Sequence, residues 1–255
     1  MKLKSLVING LLLASILFGC KKLELEEQVL DKYPTVVEAL MTNLDALEVN
    51  LSQVMPLSRP DSVIGDAYVE ITPEGGSPMQ LLELEPGRYQ HDLQTVPGQR
   101  YTLRIEAGGK VLLATSTAPT VGITIDSLTA ERMDDSLAVL TCHLRLPPTR
   151  PVYARLLVLI DDVVQEDILI EESIEPSAVF EQKTLPFFAA SGSRASIRLT
   201  SFSKTDYELY RSVRLLTLGN NFNPSNIRNP PSNFSGNAIG LFSAALADTT
   251  SLIIW

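Results

Sequence analysis

Two cysteines, two histidines and one tryptophan among 255 residues leave little material for common site chemistry. Four such Cys and His positions, scattered along the chain, do not make a zinc site of the usual spacing. Positive charge is scarce too: 21 Lys and Arg face 30 Asp and Glu, for a net charge of −9. The chain therefore lacks the basic footprint that nucleic acid requires, and it lacks a basic surface for docking on anionic lipid. Aromatic residues make up 6% of the sequence, which weighs against a sugar-stacking platform. Gly-x-Ser-x-Gly, phosphate-loop and dinucleotide fingerprints are absent. The acidic pairs Asp134-Asp135, Asp161-Asp162 and Glu171-Glu172 lack the alternating Asp/Asn loop of calcium sites and read as solvated turns or strand ends. His91 and His143 read as exposed strand residues. The expectation is a protein that is not an enzyme, with no catalytic residue, cofactor or metal.

What is present begins with a leader. Lys2 and Lys4 precede an apolar run from Leu6 to Phe18, the layout of a secretory signal over residues 1–19. The run is shorter than the roughly 20 residues that span a bilayer as a helix, and no later stretch is long and apolar enough to do so. Leu17-Phe18-Gly19-Cys20 resembles a bacterial lipobox. That resemblance implies cleavage before Cys20, a diacylglycerol on its thiol, and a further acyl chain such as palmitate on its amine. Two or more chains make membrane anchoring stable. A plain secretory leader with an incidental Cys20 is the other reading. Loss of the leader removes Lys2 and Lys4, so the anchored body is more acidic by two charges. Cys142 is then the one thiol without a lipid, and it reads as a small core residue. Residues 20–33, with Glu24, Glu26 and Glu27, form a tether. It resembles the surface-export signal of lipoproteins in the phylum Bacteroidota, and a solvated linker is an equal reading.

From Thr35 onward, period-two runs alternate with turn residues, which argues a β-sandwich or barrel. "LEVNLSQV", "DAYVEIT" and "RYTLRIEA" alternate cleanly. Pro86-Gly87 and Pro97-Gly98 are turn dipeptides, each followed by a strand tyrosine, Tyr89 or Tyr101. This pattern resembles small extracellular sandwiches of the transthyretin-like or carboxypeptidase-regulatory kind. Beyond Pro119, "VYARLLVLIDDVVQEDILI" reads as a hairpin turning at Asp161-Asp162, and further strands suggest a second sandwich of immunoglobulin-like type. Thr205 and Glu208 form a capping box for one helix over 206–218, with Gly219 at its end. The fold class is all-β: a sandwich over 34–120 and a second over 121–255 that includes the helix.

The tail "NNFNPSNIRNPPSNFSGNAIGLFSAAL" is rich in Asn, Pro and Ser, then becomes strand-like at Gly236. With Tyr207 and Tyr210 on the helix, Phe222-Asn223-Pro224, Ser232-Asn233 and Ile239-Gly240-Leu241-Phe242, it resembles the Bacteroidota lipoprotein family called domain of unknown function 4249. The resemblance implies an outer-membrane lipoprotein, often encoded beside a TonB-dependent receptor, with no assigned activity. The membrane through the lipid and an outer-membrane transporter are then the expected partners, and either face of that membrane is open. A glycan or nutrient-binding module is the alternative. The loop from Asn220 to Ser235 is the candidate contact segment, with Asn220, Phe222, Asn223, Pro224, Asn226 and Asn233 as its site residues. Against that stands a purely structural role, with asparagines satisfying loop backbone and glycines permitting close approach.

Overall fold

Alternating burial shows why the period-two runs become strands. In β1 (Thr35–Met41) the residues Val37, Ala39 and Met41 are buried, and in β2 (Leu47–Gln53) so are Leu47, Val49 and Leu51. A strand sends successive side chains to opposite faces, so these apolar sets need a second layer to cover them. The computed structural model describes residues 34–53, 62–148, 151–172, 179–218, 232–236 and 238–255. The leader and the tether lie outside the described residues.

Two sandwiches follow. In the first, one sheet runs β6-β7-β2-β1-β17, with β3 also on β2. It contains β3 (Ser62–Val63), β6 (Leu82–Glu85), β7 (Arg88–His91) and β17 (Ala238–Ala244). The facing sheet runs β5-β4-β8-β9, from β4 (Tyr68–Pro73), β5 (Met79–Gln80), β8 (Arg100–Ala107) and β9 (Lys110–Thr117). Tyr89, Tyr101, Leu103, Ile105 and Phe242 fill the space between them. Both proline-glycine turns are present. Tyr89 donates its hydroxyl to Glu83 at 2.8 Å and accepts from the Ala67 N–H at 2.9 Å, and Tyr101 accepts from the Val96 N–H at 2.8 Å. Each hydroxyl ties a turn or loop to its strand, much as the tyrosine corner does in other sandwiches. Gly87 has φ +77°, and a Cβ there would press on Val63 and the Leu51 carbonyl.

The second sandwich has one sheet of β10 (Thr124–Arg132), β11 (Leu137–Arg145) and β14 (Val179–Lys183), with β15 (Phe187–Phe188) on β11. The other runs β13-β12-β16-β18, from β12 (Val152–Ile160), β13 (Val163–Glu172), β16 (Arg194–Ser201) and β18 (Leu246–Ile253). The hairpin turns at Asp161 and Asp162 as expected, both with positive φ, 50° and 65°. This is the conformation that matches strand twist in a two-residue turn. Cys142 faces inward and is buried, and burial pushes its thiol up to about 12.

The division at Val121 needs correction. β17 lies far beyond that point in sequence, yet it pairs in parallel with β1, from Thr35 with Ala238 to Met41 with Ala244. The C-terminal stretch therefore completes the first sandwich before β18 joins the second. Gly240 permits this: its φ is +146°, and a Cβ would overlap the Val37 carbonyl. Only glycine takes that backbone comfortably.

The helix α1 spans Lys204–Leu218, two residues earlier than its expected start. Its cap is Ser203, not Thr205: Ser203 Oγ accepts from the Asp206 N–H at 3.2 Å, and its carbonyl accepts from the Tyr207 N–H at 3.0 Å. Glu208 points instead toward Lys204, 3.7 Å away. The cap shifts because Ser203, two residues beyond the end of β16, brings its hydroxyl within reach of the Asp206 N–H. Tyr207 packs tilted on Tyr153 at 5.2 Å, and Tyr210 stacks on Phe202 at 5.9 Å. The aromatic stripe is thus packing for the helix on the second sandwich.

Candidate functional site

Of the expected site residues, Cys20, Asn220, Phe222, Asn223, Pro224 and Asn226 lie outside the described residues. Asn233 is described, and its side chain has an internal partner. Its Oδ1 accepts from the Phe242 N–H at 3.0 Å, and its Nδ2 donates to the Phe242 carbonyl at 2.7 Å. The amide thus acts as one more strand residue along β17. Phe234 is buried in the first core, and the Ser235 N–H donates to the Leu113 carbonyl at 2.8 Å. Residues 232–236 are a clasp over β9, which gives this end of the expected contact loop a packing role.

Asn43 repeats the device. It accepts from the Ala247 N–H at 2.6 Å and donates to the Ala247 carbonyl at 3.1 Å. Between the two asparagines the chain crosses from one sandwich to the other. The Ala245 N–H donates to the Met41 carbonyl at 2.9 Å, and Arg198 of β16 pairs with Asp45.

The junction also holds a titratable group that the sequence reading missed. Asp206, in the first turn of α1, is 2% exposed. Its Oδ2 accepts from Ser116 Oγ of β9 at 2.6 Å and from Ser243 Oγ of β17 at 3.2 Å. Ser116 Oγ in turn accepts from the Ala244 N–H at 2.8 Å. Burial raises the acid above its ordinary range, and the hydroxyl donors from Ser116 and Ser243 oppose that rise. The carboxylate faces serines of the first sandwich from a helix of the second, so it is a staple. The sequence signal was Ser203-Lys204-Thr205-Asp206, a cap followed three residues later by an acid.

One arrangement has the residue types of nucleophilic catalysis. Ser127, His143 and Glu181 stand side by side on β10, β11 and β14. Ser127 Oγ is 3.1 Å from His143 Nδ1, and His143 Nε2 is 3.5 Å from Glu181. A hydrolytic triad also needs donors aimed at the developing oxyanion and a place for substrate. Ser127 lies on the solvent-facing side of a paired sheet, where ladder bonds occupy the neighbouring backbone, and it lines neither the cavity at the sandwich junction nor the one beside Pro86. The trio is a cross-strand ladder.

A cavity of about 280 Å³ opens at the junction between Pro119, Val121, Pro151, Tyr153, Phe202 and Lys204. Lys204 and Tyr153 are the ionisable side chains among its lining residues, and no carboxylate, histidine or cysteine lines it. Among the described residues no group of three or more His, Cys, Asp or Glu could hold a metal ion. No described helix is long and apolar enough to cross a membrane.

With this geometry in hand, comparison with known sequences gives a match over residues 22–251 to the family described as "Domain of unknown function (DUF4249)". The chain belongs to that family. No curated protein matches it. Among solved structures it is similar to a two-domain fibronectin type III segment of chicken tenascin, at 13% identity, TM-score 0.24, covering 67% of this chain and 91% of that one. It is similar also to the FN1–FN3 domains of chicken CNTN1, at 15% identity, TM-score 0.30, covering 67% and 61%. A third is a DUF4785 family protein from Legionella pneumophila, at 15% identity, TM-score 0.21, covering 65% and 50%. The DUF4249 match takes in both sandwiches, α1 and the clasp, so the crossing of β17 into the first sheet lies within the family's span.

Proposed function

We propose that the protein is a lipid-anchored outer-membrane protein that acts by contact and has no catalytic centre, as an accessory to a TonB-dependent transporter. The lipobox at Leu17-Phe18-Gly19-Cys20, in register with the leader, supports the anchor. One structural observation carries the rest. β1 starts at Thr35, at the end of the first sandwich remote from the junction, and reaches the junction at Met41 and Thr42. On this reading the anchored segment would enter at Thr35, at one end of the double sandwich, and the other end would be available for contact. The staple at Asp206 and the two asparagine bridges hold the sandwiches against each other. This build favours presentation of a surface over turnover of a substrate.

The anchor is tested by metabolic labelling with a clickable fatty acid. Cys20→Ala should lose the label and leave the membrane fraction or remain unprocessed, and equal labelling of both proteins would refute it. Contact with a transporter is tested by recovery from detergent-solubilised outer membrane. Turnover of a peptide or polysaccharide library by the purified protein would refute the non-enzymatic reading.

A further inference from the structure

The free end of the second sandwich carries the two most exposed aromatic side chains among the described residues. Four pieces of chain meet there: the β10–β11 turn, the β12–β13 hairpin, the loop between β15 and β16, and the end of β18. Backbone bonds fix them together. The Ala189 N–H donates to the Ser136 carbonyl at 2.9 Å, the Asp161 N–H to Arg194 at 2.9 Å, and the Gly192 N–H to Ile254 at 2.7 Å. Arg132 braces the same frame, with Nε on the Trp255 carbonyl at 2.9 Å, Nη1 on Asp135 at 2.9 Å and Nη2 on Ala189 at 3.3 Å. On this frame Phe188 is 78% exposed and Trp255 is 84% exposed, with Met133, Val163 and Val164 exposed nearby. Phe187 and Ile254, their chain neighbours, are buried. The tip is thus a rigid support that turns alternate large apolar side chains outward.

Single exposed apolar residues are ordinary, whereas a group at one end of a braced frame marks a docking surface. We propose that this tip is the contact surface of the protein, and that its occupant is a partner protein with an apolar centre and a basic rim. The inference rests on the contact-acting reading above and adds to it the place and the partner's chemistry. Charge selects the occupant. Glu131, Asp134, Asp135, Asp161 and Asp162 lie in or beside the two turns that form the tip, as do Arg132 and Arg194. Backbone N–H groups of Ser136 and Leu137 hold Asp134 below the usual carboxylate range, so its charge persists in mild acid. A second copy docking tip to tip would set like charges against each other, and anionic lipid would be repelled. Sugars need polar hydrogen-bonding groups beside the aromatic face they stack on, whereas this patch sets Trp and Phe among Met and Val around an arginine engaged with backbone oxygens, the composition of protein interfaces. β1 begins at the opposite end of the molecule from the tip.

The test places a photoreactive amino acid at Met133, Phe188 or Trp255 of the full chain in the producing cell, with Leu84 at the opposite end as control. These side chains are exposed, so the variants should fold, and an unchanged melting temperature verifies it. The expected result is one adduct, the same protein from all three tip positions and absent from Leu84. Its yield should fall about tenfold when Asp135→Lys and Asp162→Lys are combined, because rim charges govern the rate of encounter. An adduct of twice the chain's mass would make the occupant a second copy and overturn the proposal, as would a glycan or lipid adduct. A protein adduct insensitive to charge reversal, or equal at Leu84, would overturn it as well. Silence at the tip together with transporter recovery in the pull-down would overturn the tip and leave the contact function standing. Silence in both would overturn the two together.

Discussion

At the junction end of the second sandwich, polar groups are buried or half-buried and bonded to one another. Ser201 Oγ takes the Ile123 N–H at 2.9 Å, Asn43 holds Ala247, and Asp206 sits among Ser116 and Ser243. At the tip of the same sandwich, hydrogen bonds brace the backbone while Phe188, Trp255 and Met133 stay in water. The two ends share strands and therefore share stability, so the difference lies in what each end faces. Buried polar groups that bond to one another across the junction hold a unique arrangement, which suits a fixed contact between sandwiches. Uncovered apolar groups on a rigid frame suit a contact still to be made.

The comparison is easiest to break at the strand crossing. Gly240→Ala should be the most damaging change, because its Cβ would overlap the Val37 carbonyl and open the β1–β17 pairing. Strain of this kind costs about 3–5 kcal/mol, read as a lowered midpoint in urea denaturation. Gly109→Ala, also at positive φ but with open space around its Cβ, should cost only about 1 kcal/mol. Equal losses would mean that the close approach is unimportant.

Asp206→Ala should come next, at about 2–3 kcal/mol, since Ser116 and Ser243 lose a charged acceptor in a buried place. Asp206→Asn sharpens the point through pH. The folded protein holds the Asp206 proton more tightly than the unfolded chain does, because burial raises the acid. Its contribution to stability is therefore greatest below the unfolded value of about 3.9 and declines as pH rises toward the raised folded value. The other carboxyls titrate alike in both proteins, so the wild-type midpoint should fall relative to that of Asp206→Asn as pH rises across that acidic window. The same slope in both proteins would remove the buried carboxylate from the account.

Asn43→Ala and Asn233→Ala each remove two bonds to backbone and should cost about 1–2 kcal/mol by thermal or urea unfolding. Loss near zero for Asn233 would return that residue to the contact surface. The smallest effect belongs to the tip. Phe188→Ser and Trp255→Ser should stay within about 0.5 kcal/mol of wild type, as exposed positions do. A larger loss would show that the tip is structural and would erase its contrast with the junction.

Much of the fold was legible in the chain. Alternation in "RYTLRIEA" placed Tyr101, Leu103 and Ile105 inward, because a strand has period two and one face meets the core. Pro86-Gly87, Pro97-Gly98 and Asp161-Asp162 announced turns, because those residues tolerate the dihedrals that turns need. The helix was legible to within two residues, and its cap was misread because Thr205 and Ser203 both offer a hydroxyl and only the path out of β16 chooses between them. These features depend on neighbours a few residues apart, and sequence by itself determined them. The partner of β1 was decided elsewhere. Strand propensity says that residues 238–244 extend, but not which edge they meet, and a sheet edge accepts any strand whose backbone fits. The roles of Asp206, Asn43 and Asn233 likewise required chain segments far apart in sequence to arrive at one place. The same is true of the tip, where Met133, Phe188 and Trp255 are separated by tens of residues and joined through the Arg132 guanidinium. Such contacts are set by the closing of two sandwiches around distant strands, and only the tertiary structure could bring them together.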